Sequence, residues 1–376
     1  MTVGAEEKIT GKQITALICV SILIFFIVLE VGFRCFGVLK GTSFFYPFQK
    51  VGKKAKPFIL FRTFGFKLYQ TIDGVRYISS RHKEIFPLKK PKNTIRIVCF
   101  GGSTTENGFA YRTGKVHYPL VLQSILGEKF KKTNFEVINV GYSAYATPHS
   151  LILFELDVLS WEPDIVILSH NVNDLFVSYW PNLSFDYSNK YLDDFYTFPG
   201  MKQNISIGER SRLIRFLKSR YLKLTGGAKF PVVRKSQGNS PSPMAKKIFQ
   251  RNLRSFVSLA QSNGIQVLLG TQALQPTEDM FLRHMNEKPY NNKVVYPLHE
   301  EFVQHHHAFN EVIKKVSLEA KTLFAENDLA LGGKMEFFHD FVHYTVAGVK
   351  KLAQNYADVL SKNKTVKKLI HSRQIP

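Results

Sequence analysis

The stretch at residues 95–103, IRIVCFGGS, decides how the rest of the chain is read. Six residues rich in Ile, Val and Phe, cut short by two glycines, have the length and β-branched content of a strand buried on both faces. The segment that follows carries Tyr118, Leu122, Ile125, Leu126 and Phe130 at helical spacing. A buried strand, a small-residue turn and a helix form the opening half of a parallel βαβ unit.

Outward from this start the pattern repeats. Strands are expected at 135–140, 165–169 and 265–270, and helices at 148–160, 244–263, 300–320 and 346–362. Alternating strands and helices predict an α/β fold, with one parallel sheet between helical layers, over residues 94–362. Residues 34–93 read as a basic, aromatic linker followed by short strands at 64–68 and 75–78 around an Asp73-Gly74 turn. Between 175 and 243 the regularity declines, and this stretch is expected to be an insertion over the site. Residues 1–13 and 363–376 read as tails, the second one basic.

Residues 14–33, ITALICVSILIFFIVLEVGF, contain one charge, Glu30. A helix of that length spans a hydrocarbon core of about 30 Å, so a single transmembrane anchor is expected. The run is longer than the apolar core of a signal peptide, and no small-residue cleavage pattern follows it. Glu30 lies near one end, within reach of the interface, and is read as tolerated there. Basic residues after the run favour a cytoplasmic second half by the positive-inside rule, a rule that is weak for long domains.

Across 376 residues the chain has 51 Lys and Arg against 29 Asp and Glu, a formal charge of +22. Such a balance favours anionic partners. No zinc-finger, helix-turn-helix or RNA-recognition signature accompanies the charge, which argues against nucleic acid. The three cysteines, Cys19, Cys35 and Cys99, form no metal or disulfide pattern, and Cys99 reads as a core residue of the first strand. His339 and His343 have the i, i+4 spacing of a zinc helix, but Asp340 stands where the glutamate of such a motif belongs. The triplet at 305–307 reads as the solvated face of a polar helix, so no metal is expected.

A serine directly after a buried strand lies at the carboxyl edge of the sheet, where open α/β folds bind ligands. Ser103 has that setting. Asp340 precedes His343 by three residues, close enough for a carboxylate to fix one imidazole nitrogen while the other faces a nucleophile. Asp340 as a cap for the following helix is the plain alternative.

Four segments, in order, resemble the sequence blocks of SGNH/GDSL hydrolases. They are Gly101-Gly102-Ser103, Asn139-Val140-Gly141, Asn171-Val172-Asn173-Asp174 and Asp340-Phe341-Val342-His343. The resemblance implies a three-layer α/β/α fold, no cofactor, and a serine esterase or O-acyltransferase. It implies a triad of Ser103, His343 and Asp340, with an oxyanion hole from the N–H groups of Ser103 and Gly141 and the amide of Asn173. It also implies an exported domain and, by analogy with anchored relatives, an acylated glycan as ester substrate. Two positions depart from the pattern: Gly102 replaces an acidic residue, and Asn171 replaces a glycine, where its side chain is expected to narrow or reshape the pocket. A competing expectation is a non-catalytic, membrane-anchored protein that holds an anionic polymer on the same fold.

Overall fold

The structure, a computed structural model, describes residues 10–39, 44, 68–180, 182–194, 211–224, 243–275, 277–286 and 297–373. The chain divides into two compact units, residues 1–54 with 197–229, and residues 55–196 with 230–376. The strand expected at 64–68 lies outside the described residues except for Leu68, as do the basic run at 50–56 and much of 175–243.

In the first unit, helix α1 (Gly11–Leu39) contains the apolar run and is long and apolar enough to cross a membrane. Leu17, Leu23, Phe25 and Val28 are exposed along it. Glu30 is engaged rather than merely tolerated. Its carboxylate accepts hydrogen bonds from the Ser211 hydroxyl at 2.8 Å and from the backbone N–H groups of Arg212 and Leu213 at 3.0 and 2.9 Å. Those groups open a second helix, Arg212–Leu224, whose first N–H groups would otherwise lack partners. Part of the expected insertion, residues 197–229, therefore belongs to this unit, and the remainder of 175–243 belongs to the second.

The second unit begins with an antiparallel meander of β1 (Tyr69–Ile72), β2 (Val75–Ser79) and β3 (Ile85–Pro87). Asp73 and Gly74, at φ 48° and 78°, form the tight turn between β1 and β2. The main sheet is β4 (Thr94–Gly101), β5 (Asn134–Asn139), β6 (Ile165–Ser169), β7 (Gln266–Gly270) and β8 (Leu323–Ala325), ordered β5-β4-β6-β7-β8 with every pairing parallel. The three-residue β8 is an addition to the expected strands.

Period-two alternation sends neighbouring residues of β4 to opposite cores. Val98 and Phe100 pack with Phe154 of α4 (Thr147–Leu156), Phe256 of α6 (Pro243–Ser262) and Phe309 of α7 (His299–Ala320). Ile95, Ile97 and Cys99 pack with Leu122 of α3 (Tyr118–Lys129), Tyr356 of α8 (Val346–Lys362) and Ile370 of α9 (Lys364–Ser372). Both faces of the sheet are thus covered, which gives the three-layer α/β/α fold expected from the sequence. The 363–376 tail is corrected in part: α9 buries Val366 and Ile370, four residues apart on one face, while its lysines stay outside.

From β4 the chain moves to β5 on one side and then crosses to β6 on the other. The carboxyl end of β4 is therefore a topological switch point, where diverging loops leave a crevice. Arg96 secures the opposite end of the same strand. Wholly buried, it pairs with Glu136 at 2.7 Å and donates to the carbonyls of Pro87, Leu88 and Trp161.

Candidate active site

Ser103 is the first residue of the short helix α2 (Ser103–Glu106), directly beyond β4 at the switch point. Gly102, between strand and serine, leaves room for the Asn173 amide. A Cβ would lie 2.5 Å from Nδ2 of Asn173 and 3.1 Å from the Tyr145 carbonyl. A side chain at this position would displace the Asn173 amide, the movable end of its side chain. Gly141 is similarly enclosed, since a Cβ there would meet Thr105 and the backbone of Glu106 at under 3 Å.

Asp340 and His343 occupy the loop before α8. An antiparallel bridge between Phe338 and Tyr344 closes that loop, and Phe341 and Tyr344 bury themselves in the two opposite cores. Gln275 N–H donates to the Phe341 carbonyl at 3.0 Å, tying the loop to the segment after β7. Because residues 338–344 form this loop and not a helix, the i, i+4 spacing of His339 and His343 places no pair of imidazoles on one helical face. His339 stacks on Phe109 at 3.4 Å between ring centroids. Among the described residues no group of three His, Cys, Asp or Glu side chains is arranged to hold a metal ion.

The three residues meet. His343 Nε2 is 2.8 Å from Ser103 Oγ, and His343 Nδ1 is 2.7 Å from Asp340 Oδ2. The other oxygen of Asp340 accepts from the N–H groups of Val342 and His343 at 2.9 and 2.8 Å. Burial pushes the Asp340 carboxyl up, but the hydrogen bond and charge of His343 together with those two N–H groups hold it well below the usual carboxylate range. An ionised Asp340 requires Nδ1 to be the protonated nitrogen, which leaves Nε2 free to accept from the serine. Capping of α8 falls to Thr345, which accepts from Gly348 N–H, so Asp340 is free of that duty.

The remaining expected residues divide. Asn173, in the first turn of α5 (Val172–Val177), spends one amide hydrogen on the Tyr145 carbonyl at 2.8 Å and keeps a second. The Ser103 N–H has no acceptor among the described residues. Gly141 differs from expectation: its N–H donates to Asn139 Oδ1 at 2.9 Å. Asn171 also differs. Its amide binds the His306 carbonyl and Asn310 on α7, so it ties the end of β6 to that helix and leaves the pocket alone.

Several supporting residues escape a reading of local motifs. Gln272 accepts from Val172 N–H at 2.7 Å and donates to Thr104 Oγ1 at 2.9 Å, linking the turn before Asn173 to the helix that starts at Ser103. Glu106 accepts from Ser143 N–H at 2.7 Å and pairs with Arg81 from the meander, so the loop after β5 is held to α2. Their partners are 25 to 168 residues away along the chain, and a polar residue just beyond a buried strand was the only local signal.

A second serine–histidine contact shows what exposure decides. Ser150 Oγ is 2.7 Å from His170 Nε2, and Asp174 is 3.9 Å from the other imidazole nitrogen. Both Ser150 and His170 are buried, whereas Ser103, Asn173, Asp340 and His343 are all partly open to solvent. Cys99 is no rival nucleophile either, since burial pushes its thiol up to about 12. The expected solvated histidine face is corrected as well: His306 is buried against the core, where burial lowers its pKa to about 3, and His305 meets the Tyr179 hydroxyl at 2.7 Å.

Comparison with known proteins returns no matching family model and no matching curated protein. Among solved structures, the chain is similar to an acetylxylan esterase from Geobacillus stearothermophilus, at 15% identity and a TM-score of 0.42 over 72% of this chain and 95% of that one. It is also similar to a putative GDSL-like lipase from Parabacteroides merdae, at 16% identity and a TM-score of 0.41 over 73% of this chain and 99% of that one. An α/β hydrolase from the metagenome of Lake Arreo, Spain, aligns at 13% identity and a TM-score of 0.41, over 70% and 94% of the two chains.

Proposed function

We propose that this protein is a membrane-anchored serine esterase or O-acyltransferase. The observation that carries the reading is the continuous hydrogen-bonded path from Ser103 Oγ through His343 to an ionised Asp340. Ser103 Oγ attacks the ester carbonyl while Nε2 of His343 takes its proton. The oxyanion that forms is met by the Ser103 N–H and the second amide hydrogen of Asn173; Gly141 N–H joins them by exchanging its bond to Asn139. Collapse expels the alcohol, which takes the proton back from His343, and leaves an acyl group on Ser103. Water or a second hydroxyl, deprotonated by the same nitrogen, then accepts the acyl group. Hydrolase and transferase differ only in that acceptor.

O-acetylated saccharides are the first substrate class to assay, with α1 holding the enzyme at a membrane and the second unit on its exported side. The test is hydrolysis of p-nitrophenyl acetate by the full chain in mild detergent. Wild type should turn over, and Ser103→Ala and His343→Ala should each lose about ten-thousand-fold or more in kcat while remaining folded. A folded, inactive wild type that a fluorophosphonate leaves unlabelled would overturn the proposal in favour of the polymer-binding alternative.

A further inference from the structure

We infer that the Arg212–Leu224 helix is a second membrane contact, lying on an anionic lipid surface beside the emergence of α1, with Glu30 as the clasp that sets it there. The inference rests on reading α1 as a membrane span.

Three observations carry it. The first is position. Glu30 is three residues before the end of the apolar run, about 5 Å along the helix axis, which places it at the edge of the hydrocarbon rather than in its centre. Through Ser211, Arg212 and Leu213 that carboxylate fixes the start of the second helix at the same level, and Phe33 packs on Phe216 at 4.9 Å between ring centroids. Arg34, paired with Glu30 at 2.7 Å, answers the carboxylate's charge from the adjacent turn.

The second is shape. In RLIRFLKSRYLKL, Leu213, Leu217, Tyr221 and Leu224 recur at intervals of four, four and three and so fall on one side of a helix. Leu217, Tyr221 and Leu224 are 52%, 66% and 87% exposed, and Ile214 beside them is 47% exposed. An apolar stripe this open needs a cover.

The third is charge. The helix sequence has no acidic residue, while Arg212, Lys218 and Arg220 are among its basic ones. An apolar face flanked by basic residues, with Arg220 at its border over the Phe216 ring, is the pattern of a helix that lies in the interface plane, its apolar side at the acyl boundary and its cations among anionic headgroups. A second protein would also cover an apolar stripe, but it would not explain why the stripe is anchored at the end of a span. Glu30 thus satisfies the helix start at the one depth where a carboxylate, a basic helix and lipid headgroups can coexist.

The experiment uses the full chain reconstituted into vesicles of phosphatidylcholine and phosphatidylglycerol, with a tryptophan introduced at an exposed site. Leu217→Trp reports on the helix and Phe25→Trp on the span; the two native tryptophans, Trp161 and Trp180, are buried and supply a constant background. Lipids brominated near the headgroup end of the acyl chain should quench about half or more of the emission added by Leu217→Trp. Replacing phosphatidylglycerol with neutral lipid should cut that quenching severalfold and leave Phe25→Trp, read with lipids brominated deeper in the chain, unchanged. Quenching at 25 without quenching at 217 would overturn the inference and leave the span intact. Absence of quenching at 25 would remove the span, and the inference with it. Equal quenching at 217 in neutral vesicles would overturn the anionic preference.

Discussion

Replacing Gly102 with alanine should cripple catalysis while leaving the protein folded. The added Cβ would sit 2.5 Å from Asn173 Nδ2, the far end of a side chain that can rotate away, and 3.1 Å from the Tyr145 carbonyl. Relief of the first contact moves the amide off its 2.8 Å bond to Tyr145. Stability should fall by about 1 kcal/mol, the net worth of one hydrogen bond. Transition-state stabilisation should fall by about 3 kcal/mol, the worth of one oxyanion donor, or roughly a hundredfold in kcat. The assay is p-nitrophenyl acetate hydrolysis by Gly102→Ala, Asn173→Ala and the double variant. If the alanine acts by displacing the amide, the double variant should be no slower than Asn173→Ala alone, a coupling of about 3 kcal/mol. Additive losses, or a Gly102→Ala enzyme of wild-type rate, would refute this reasoning.

Three further outcomes follow from the packing. Arg96→Met should destabilise the fold by about 3–5 kcal/mol in urea unfolding, because Glu136 and three carbonyls lose their partner while buried or half-buried; a change under about 1 kcal/mol would contradict the account. Stability should fall between pH 6 and 4.5. Burial holds His170 and His306 at about 3, so the unfolded chain gains two protons there that the native state does not, while Asp174, raised by burial to about 6, takes up one only when folded. The net favours unfolding as the pH falls, the more so because burial also holds His82 at about 4, and denaturant midpoints that rise on acidification would contradict it. Ser150→Ala should keep wild-type activity, because the hydroxyl it removes is buried against His170; a loss comparable to that of Ser103→Ala would show that the wrong serine has been assigned.

Much of this architecture is legible in the sequence where the physics is local. Strands β4 and β6 are apolar runs that stop at Gly or His-Asn, and their alternation into two cores needs no distant information. Strand β8 has only three residues and no pattern of its own; it exists because β7 offers an edge. Helix α9 was hidden by its lysines, although Val366 and Ile370 already had the spacing of a buried face. The same spacing was available for His306, which falls on the stripe of Phe302, Phe309 and Ile313 along α7. Ser103, Asp340 and His343 can be found because each lies in a short motif. Gln272, Glu106 and Arg81 cannot, since their roles arise only when loops from separate strands converge at the switch point.

The most direct test of the central claim is to treat the full-length chain with a fluorophosphonate and locate the adduct by mass spectrometry of its peptides. The account predicts one adduct, on Ser103, whose formation slows by orders of magnitude in His343→Ala. An adduct on any other residue, or a folded protein that stays unmodified, would contradict it.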